Sequence, residues 1–490
     1  DALADNFDVY VMTRLEDGEG AGDITWNADA TLNATNTSTK RIVLYAADKI
    51  TIKGDITATD AKLNVRLQAQ GDVLLDDDVD ITTLGGSFVV KGATDDGDAF
   101  GDNSPSNFAG SFRSKSSTTI VTTGKSDTDG GSVSIKTVSR NPGSGATTGN
   151  ILIEGDITSS GGTASSSSAG NDAGSVTLET TSNTSTITFS SGADLIAKGS
   201  DANGGELDGG AGGAVTFTTA NDSVITLHDT LIETDGGAES GNGTAGVGGT
   251  ITINDPLQIG TGTVKLQTGA NSNNSATTGK VVVVGTINSA EGETNQLDII
   301  TGAGAVDLGG VIGGDDALSA LNINAEGGTG NIDVTNIGDN DPAKGVTGTV
   351  VLGNANTGTL DLDGTNYDVG AITFGSNSLT FSGSTGNFET AGDIRFLGNV
   401  TLNGDITFDS GGGDITFDGT IVGTDGDETL VLDDGGTSGT ITLSGNVGAS
   451  DFLKSITITG TDGINLGSTI KLSDGAGGSI DINGNVTLTA

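Results

Sequence analysis

A short pattern recurs along the chain: an apolar residue, any residue, a second apolar residue, any residue, Gly, a small polar residue and a third apolar residue. The pattern occurs at residues 50–56, 151–157, 281–287, 394–400, 400–406, 415–421, 441–447 and 480–486. Alternate side chains of a strand point to opposite faces, so the first two apolar residues face one side and the residue between them faces water. A unit repeated this often predicts a repeat architecture built from short strands.

The residues between the apolar positions have the polarity that an outward face requires. They include Thr51, Arg395, Thr416, Thr442 and Asp481. The Gly allows the chain to turn without a Cβ clash, and the next apolar residue starts another strand. Strands of about three to five residues are too short for an ordinary sheet, but coils stacked in register about 4.8 Å apart can pair with each other.

The spacing between equivalent residues gives the size of one coil. Ile394, Ile415, Ile441 and Ile464 predict roughly one coil per 20 to 26 residues, within the range of solenoid repeats. That period corresponds to about twenty coils and a rod about 100 Å long, at one strand spacing per coil. Crossovers between parallel strands are almost always right-handed. We therefore expect an all-β fold, a right-handed parallel β-helix (β-solenoid) that forms an elongated rod with irregular Gly-rich corner loops.

No composition break marks a domain boundary, so we expect one continuous solenoid over residues 1–490. Its N-terminal coils, residues 1–130, are the more basic and contain a long irregular loop at residues 91–117. Residues 291–490 form compact acidic coils. Between them, residues 131–290 carry Gly/Ser-rich stretches that we expect to bulge from one corner of the coil, at 159–174, 199–213 and 235–249.

The composition favours a thin core over a compact one. The chain has 83 Gly and only 4% aromatic residues, yet 33% of its residues are hydrophobic, mostly of the β-preferring kind. A long structure that buries a small core along its whole length reconciles these figures. The net charge of −44 excludes nucleic-acid binding and attraction to anionic membranes. We interpret the acidity mainly as a device for solubility, because a repetitive β-protein must suppress self-association.

Several features suit an exported protein. The chain has no Cys, as is common in large exported bacterial solenoids, and no run approaches the 18 apolar residues of a membrane span. We therefore expect no membrane insertion. The chain begins at Asp1 without a hydrophobic signal region, which predicts a processed product or an excerpt of a longer protein.

Several segments are similar to the repeats of filamentous-haemagglutinin-like large exoproteins, adhesins of the two-partner-secretion type. The resemblance is carried by residues 23–28 (DITWNA), 42–56, 212–217 (GGAVTF) and 321–325 (LNINA). It covers essentially the whole chain and implies a right-handed parallel β-helix, export through an outer-membrane partner, and a role in attachment or surface structure. The family's N-terminal secretion domain has no counterpart here, because Asn141-Pro142-Gly143 lies in a different context from its Asn-Pro signature. That departure predicts an excerpt or another export route.

Parallel β-helices also host enzymes that act on polysaccharides, but this sequence shows no catalytic set. His228 is the only His, and strand alternation places it opposite Leu227, as expected for a solvated or corner residue. The Arg residues are scattered, and Phe396, Phe408 and Phe417 have the parity of a core stack. We therefore expect no enzymatic activity, no catalytic residue and no organic cofactor.

Calcium binding in acidic turns is the better minor hypothesis, since calcium prefers carboxylate and carbonyl oxygens in flexible loops. No EF-hand loop or Gly-Gly-x-Gly-x-Asp nonapeptide is present, so solvated acidic turns are the alternative. The candidate metal ligands lie in three clusters: Asp76, Asp77, Asp78 and Asp80; Asp95, Asp96 and Asp98; and Asp425, Asp427 and Glu428.

These observations favour a secreted or cell-surface protein, a rigid rod that mediates attachment to cells, surfaces or matrix. The loop at residues 91–117 is the candidate contact surface, because long loops on rigid scaffolds often carry function. A second hypothesis is a filament or sheath subunit that stacks end to end on copies of itself. A polysaccharide-active enzyme is the third and would require a clustered acidic site.

Overall fold

The computed structural model describes residues 8–13, 22–27, 29–32, 38–92, 109–139, 148–220, 223–269, 279–293, 295–339, 341, 343–376, 378–383, 385–436, 438–467, 469–472 and 478–488. The fold is all-β: none of these residues lies in a helix. Consequently, within those ranges, no helix has the length and apolar character needed to cross a membrane.

The chain divides into two compact units. Unit 1 comprises Asp1–Gly260 and Val264–Lys280, and unit 2 comprises Thr261–Thr263 and Val281–Ala490. The strands up to residue 267 are β1 Val9–Met12, β2 Ile24–Trp26, β3 Ala30–Leu32, β4 Lys40–Ala46, β5 Ile50–Ile52, β6 Ile56–Ala58, β7 Leu63–Ala69, β8 Val73–Leu75, β9 Asp80–Thr82, β10 Phe88–Lys91, β11 Phe112–Ser114, β12 Thr119–Val121, β13 Val133–Thr137, β14 Ile151–Ile153, β15 Asp156–Thr158, β16 Val176–Thr180, β17 Ile187–Phe189, β18 Leu195–Ile196, β19 Val215–Thr218, β20 Ile225–His228, β21 Leu231–Glu233, β22 Ile251–Ile253, β23 Leu257–Thr261 and β24 Thr263–Gln267.

The strands from residue 281 onward are β25 Val281–Val283, β26 Ile287–Ser289, β27 Gln296–Ile300, β28 Val306–Leu308, β29 Leu318–Ile323, β30 Ile332–Val334, β31 Val346–Leu352, β32 Thr359–Leu362, β33 Asn366–Phe374, β34 Ser378–Phe381, β35 Thr385–Thr390, β36 Ile394–Phe396, β37 Asn399–Leu402, β38 Asp405–Asp409, β39 Ile415–Phe417, β40 Ile421–Val422, β41 Thr429–Asp433, β42 Thr440–Leu443, β43 Ser455–Leu466 and β44 Ser479–Leu488.

In unit 1 each strand pairs with the strand three places later in the sequence, and the pairing is parallel. One series runs β1-β4-β7-β10-β13-β16-β19-β22, and a second runs β2-β5-β8-β11-β14-β17-β20. The third series includes β9, β12, β15 and β18, which pair one after another. Three strands per repeat therefore form three parallel sheets, as expected for short strands that are stable only when repeats stack.

Unit 2 keeps the parallel pairing but contains longer strands than the predicted three to five residues. β33 has nine residues; its first half pairs with β35 and its second half with β36. β43 has twelve and pairs in the same divided way with β41 and β42. These two strands join two series into a closed circuit of strand pairings, β33-β36-β39-β42-β43-β41-β38-β35.

The predicted alternation of inward and outward residues is confirmed. Ile394, Phe396, Ile415 and Phe417 are at most 1% exposed, whereas the intervening Arg395 is exposed. Strand β44 departs from this pattern, since Ile480, Val486 and Leu488 are 49%, 45% and 80% exposed. The difference arises because the described pairing of β44 is with β43 on one side only.

Aromatic rings stack inside unit 2 where the strand alternation predicted them. The ring of Phe396 lies between those of Phe374 and Phe417, with centroid distances of 4.6 and 4.2 Å. Tyr367 stacks on Phe388 at 4.1 Å, and its hydroxyl accepts a hydrogen bond from the Gly364 backbone N–H at 2.9 Å. In-register pairing places equivalent residues of successive repeats on top of each other, so one Phe per repeat produces a stack.

The glycines of the repeat are required for a reason other than the predicted turn. A Cβ on Gly419 would lie 2.2 Å from the carbonyl oxygen of Gly398, and one on Gly445 would lie 2.0 Å from that of Gly419. Neither Gly419 nor Gly445 has a positive φ. The three glycines form a column in which the backbones of successive repeats approach too closely for any side chain.

We expect Gly419→Ala to destabilise unit 2 by about 1–3 kcal/mol, because overpacking forces the backbones of neighbouring repeats apart. Hydrogen-exchange mass spectrometry should show faster exchange in peptides that cover residues 394–422. Gly327→Ala is the matched control, since a Cβ at Gly327 meets nothing within 4 Å. Equal effects of the two substitutions would contradict the interpretation that close backbone contact excludes a side chain at Gly419.

Candidate functional site

The acidic turn at residues 424–428 connects β40 to β41. Within the parts of the chain that the structure describes, Asp425, Asp427 and Glu428 are the one group of three or more acidic or His residues whose potential ligand atoms all lie within 4.8 Å of one another. This third predicted cluster is therefore assembled in space. Asp425 and Asp427 are exposed, whereas Glu428 is 1% exposed.

Glu428 is occupied by the turn itself. Its Oε1 accepts hydrogen bonds from the Thr424 hydroxyl at 2.7 Å, from the Thr424 backbone N–H, and from the Asp425 backbone N–H at 3.0 Å. Its Oε2 accepts one from the Gly426 backbone N–H at 3.0 Å. Burial alone would raise the pKa of Glu428, but these hydrogen bonds outweigh it and lower the pKa to about 2. Glu428 therefore holds the turn together as a carboxylate.

Asp425 and Asp427 repel each other across this turn. The pKa of Asp425 is raised, first by the hydrogen bond that its protonated form shares with Asp427 and further by the nearby negative charges. A calcium ion requires six to eight oxygen ligands, and this turn offers two exposed carboxylates beside one that is already hydrogen-bonded. The residues present fit weak cation attraction rather than a closed calcium cage.

The first predicted cluster is organised by a cation from the protein. The Lys115 ammonium group donates a hydrogen bond to Asp76 Oδ1 and another to Asp77 Oδ2, the latter at 3.2 Å. The hydrogen bond from Lys115 is the main reason that the pKa of Asp76 is lowered. Asp78 is exposed with a positive φ. Asp80 donates its backbone N–H to Asp55 Oδ1 at 2.9 Å, and its own Oδ1 accepts a hydrogen bond from the Thr119 hydroxyl of the next repeat. Lys115 neutralises this turn from the next repeat.

Two other predicted features are partly or wholly outside the described residues. Asp95, Asp96 and Asp98 lie outside them, as does most of the loop at residues 91–117, namely 93–108. Of the part that is described, Phe112 is buried and Arg113 pairs with Glu154 in the next repeat, with N–O distances of 2.8 to 3.0 Å. This end of the loop is an ordinary strand of the stack.

His228 has a packing role. It is half-buried at the end of β20, and a Cβ on Gly260 would lie 2.3 Å from its Nδ1. The imidazole ring thus packs directly on the backbone of Gly260, a glycine that leaves room for it. This contact gives His228 a structural role in the stack.

Many acidic residues have a structural task that the sequence did not reveal. Asp156 Oδ1 accepts a hydrogen bond from the Asp194 backbone N–H at 3.0 Å, and Asp194 Oδ1 accepts one from the Leu231 N–H at 2.9 Å. The same arrangement links Asp393 to Asp414 and Asp414 to Thr440 in unit 2. Each side chain satisfies a backbone donor of the next repeat, which would otherwise face solvent or remain unpaired. Solubility is therefore not the sole function of the acidic residues.

The Gly-rich stretches form an ordered layer, which we name the glycine flange and define as residues 159–174, 197–213 and 234–249. The first half of each stretch, which we call the outgoing leg, forms backbone hydrogen bonds with the outgoing leg of the next repeat. Gly161 N–H donates to Lys198 O at 2.9 Å, and Gly199 N–H donates to Asp235 O at 2.9 Å. The second half of each stretch, the returning leg, bonds in the same way, as Gly170 N–H donates to Asp208 O at 2.8 Å. The predicted irregular loops contain no strand, and backbone hydrogen bonds connect each of them to the next.

Close approach explains the glycine content of the flange. A Cβ on Gly236 would lie 1.9 Å from the Gly246 carbonyl oxygen on the returning leg, and one on Gly199 would lie 2.0 Å from that of Gly210. Outgoing and returning legs thus contact each other backbone to backbone. The stretches also lengthen the repeat. A side-chain acceptor and the backbone N–H that it binds in the next repeat are 23 residues apart for Asn64 and Ser87, but 43 residues apart for Asp129 and Asp172.

A buried hydroxyl closes the base of the first and third stretches; the second begins at Ala197, where only the backbone bond from Gly213 N–H to Ala197 O is made, at 2.8 Å. Ser159 Oγ donates to Gly174 O at 2.6 Å, and Thr234 Oγ1 donates to Gly249 O at 2.7 Å; both side chains are 0% exposed. We name this contact the hydroxyl clamp. It recurs in both units at Thr83–Gly86, Thr122–Gly131, Thr268–Gly279, Thr301–Gly304 and Ser410–Gly413. Where it is present, the clamp fixes the points at which a stretch leaves and rejoins the strands.

The tips of the flange are polar and solvent-accessible. They comprise residues 165–168, 203–206 and 240–242, of which Ser166, Glu206 and Asn242 are exposed. Neighbouring tips contact each other through antiparallel bridges at Ser168–Asn203 and Leu207–Ser240, and Asn242 Nδ2 donates to Glu206 Oε1 at 2.8 Å. The result is a continuous row of hydroxyl, amide and carboxylate groups on an ordered base.

Comparison of the chain with protein-family models, with curated proteins and with solved structures gave no match.

Asp127 supports the first flange tip, and this gives a pH-dependent prediction. Its pKa is lowered, first by the hydrogen bond from the Ser165 backbone N–H, which is 2.8 Å from Oδ1. An acid with a lowered folded-state pKa stabilises the fold above its unfolded pKa of 3.8, and this contribution is lost as the pH falls through the folded-state pKa. We expect amide protection at residues 165–168 to fall on acidification to below about pH 4.

The Asp127→Asn variant should have lower protection at neutral pH and a flatter pH profile over the same residues, measured by hydrogen exchange with intrinsic rates divided out. Glu239→Gln, on the third stretch of the flange, is the control and should retain the wild-type profile. A wild-type profile in Asp127→Asn would show that the hydrogen bond to Ser165 has no part in holding the tip.

Calcium should bind weakly at Asp425 and Asp427, with a dissociation constant on the order of the millimolar values of extracellular modules. Isothermal titration calorimetry should detect this binding, and a chelator should reverse it. The Asp427→Asn variant should lose it, while Asp339→Asn, an exposed acid of the same unit, should not. No calcium heat with the wild-type chain would remove the cation hypothesis for this turn.

Proposed function

We propose that this chain is part of an extracellular attachment protein, in which stacked β repeats form a rigid support and the tips of the glycine flange form a contact surface. The single observation that carries the proposal is the flange itself, an ordered polar surface built by successive repeats. Rigid scaffolds that present loops commonly use those loops for binding. The resemblance to filamentous-haemagglutinin-like exoproteins supports the same role, together with export to the cell surface through an outer-membrane partner.

The proposed architecture of each unit is a right-handed parallel β-helix. Its support is the regular parallel pairing of strands one repeat apart, which requires a crossover between each pair, and such crossovers are right-handed in nearly all proteins. The closed circuit of pairings in unit 2 is consistent with this architecture, because β33 and β43 each span a corner and contribute to two sheets.

A contact role suits the flange better than a catalytic one. The tips present hydroxyl, amide and carboxylate groups in a row, which is the chemistry of multipoint hydrogen bonding to a polar surface such as a polysaccharide or a glycosylated cell coat. Many weak contacts repeated along a rigid support give avidity without one deep pocket. We therefore propose a non-enzymatic binding function and place the contact at residues 165–168, 203–206 and 240–242.

Beads coated with the chain should attach to an immobilised polysaccharide or to cultured animal cells more than beads coated with albumin do. The double variant Ser166→Lys and Asn242→Lys should reduce attachment by about tenfold, a loss typical of central contact residues. Bare glass serves as the nonspecific surface.

The matched control is Thr184→Lys with Ser191→Lys, which adds the same charge at two exposed positions of unit 1 outside the flange. This control should attach like the wild type. Equal loss in both double variants would assign the effect to net charge, and no loss in either would exclude the flange tips as the contact surface.

A further inference from the structure

Three aspartates lie side by side on the outer face of one sheet in unit 2. Asp307 on β28 pairs in register with Asp333 on β30, and Asp333 pairs in register with Asp361 on β32. Parallel in-register neighbours lie about 4.8 Å apart, and side chains at paired positions point to the same face. We name Asp307, Asp333 and Asp361 the aspartate column.

Among the described residues that flank the column, Lys280 is the one basic residue, and it lies at the Asp307 end, two residues before Val282. The strands at its two ends contribute Val282 and Thr380 in the same register. Two residues before or after each aspartate, in or next to β28, β30 and β32, the positions of the same parity are Ala305, Gly309, Asn331, Thr335, Thr359 and Asp363. The additional charges beside the column are a fourth carboxylate, Asp363, two residues after Asp361, and one basic group, Lys280, diagonal to Asp307. The central Asp333 has only Asp307 and Asp361 beside it in register.

Part of the column is shielded from water. Asp361 is half-buried, and its Oδ1 is a buried oxygen without a hydrogen-bond partner. An unsatisfied buried carboxylate oxygen and like charges at paired positions both destabilise the sheet locally. Ion pairs elsewhere, such as Lys136 with Glu179 at paired positions of β13 and β16, show the opposite arrangement.

The electrostatics of the central residue agree with this geometry. Asp333 is exposed at the surface. Its pKa is raised, first by partial desolvation and then by the charges of Asp363, Asp307 and Asp361. An acid whose folded-state pKa is raised binds its proton more tightly in the folded state than in the unfolded state. Stability therefore increases as the pH falls from neutral through the folded-state pKa toward the unfolded value of 3.8.

We propose that the aspartate column is an acid-responsive device: on mild acidification one of its carboxyls takes up a proton, repulsion across β28, β30 and β32 is relieved, and these strands pair more tightly. The proton comes from the medium, and the neutral carboxyl can then donate a hydrogen bond to its charged neighbour. This part of unit 2 thereby becomes more rigid in acid, in contrast to the flange tip at Asp127. The device does not depend on the attachment function.

Hydrogen-exchange mass spectrometry of the full chain tests the proposal. Protection factors are measured at constant ionic strength at about pH 7 and about pH 5, a range that brackets a raised carboxyl pKa. Peptides covering residues 304–310, 330–336 and 358–364 should gain about two- to fivefold protection at the lower pH, the size expected from a like-charge cross-strand contact.

Asp333→Asn removes the central charge with little change of shape, so its protection should already be high at neutral pH and change little on acidification. Asp307→Asn should show an intermediate response. Asp462→Asn is the control, since Asp462 lies opposite Gly439 and away from the column; its peptides at 304–364 should respond like the wild type. A wild-type pH response in Asp333→Asn, or lower protection in that variant at neutral pH, would overturn the proposal.

Discussion

In-register parallel pairing from one repeat to the next is the constraint on which the other features of this protein depend. It places each residue on top of the equivalent residue of the next repeat, so a contact made at one position is repeated along the stack. The backbones meet at Gly398, Gly419 and Gly445, where a side chain would occupy the position of a carbonyl oxygen. At Phe374, Phe396 and Phe417 the same rule produces stacked rings.

The same in-register pairing decides whether an acidic residue stabilises or destabilises the stack of repeats. An Asp at the start of a strand, such as Asp156, accepts the N–H of the next repeat and stabilises the stack. An Asp in the middle of the strand, such as Asp333, faces its own equivalents and repels them. A net charge of −44 is compatible with a regular fold because acids such as Asp156 occupy acceptor positions and others, such as Asp76, lie beside a basic partner.

The sequence predicts the local part of this structure well. The alternation of Ile394, Arg395 and Phe396 correctly predicts which side chains are buried, because alternation depends only on residues adjacent in the sequence. The cluster at Asp425, Asp427 and Glu428 is assembled as predicted because its members are close together in the chain. The role of Lys115 at Asp76 was missed, since the two residues are 39 positions apart. The flange was missed for the same reason: its hydrogen bonds join stretches that resemble disordered loops when each is considered alone.

The buried hydroxyls at Thr122 and Ser159 look like breaks in an apolar pattern, yet they have a consequence for how such a chain can change. The hydroxyl and carbonyl that form a clamp are 3 residues apart at Thr83–Gly86, 9 at Thr122–Gly131 and 15 at Ser159–Gly174, with the same O–O distance of 2.6 Å. The excursion between them can thus grow or shrink while the strands on either side keep their register. Loop-closure entropy rises only slowly with length, so new peptide segments can be grafted at this corner one repeat at a time.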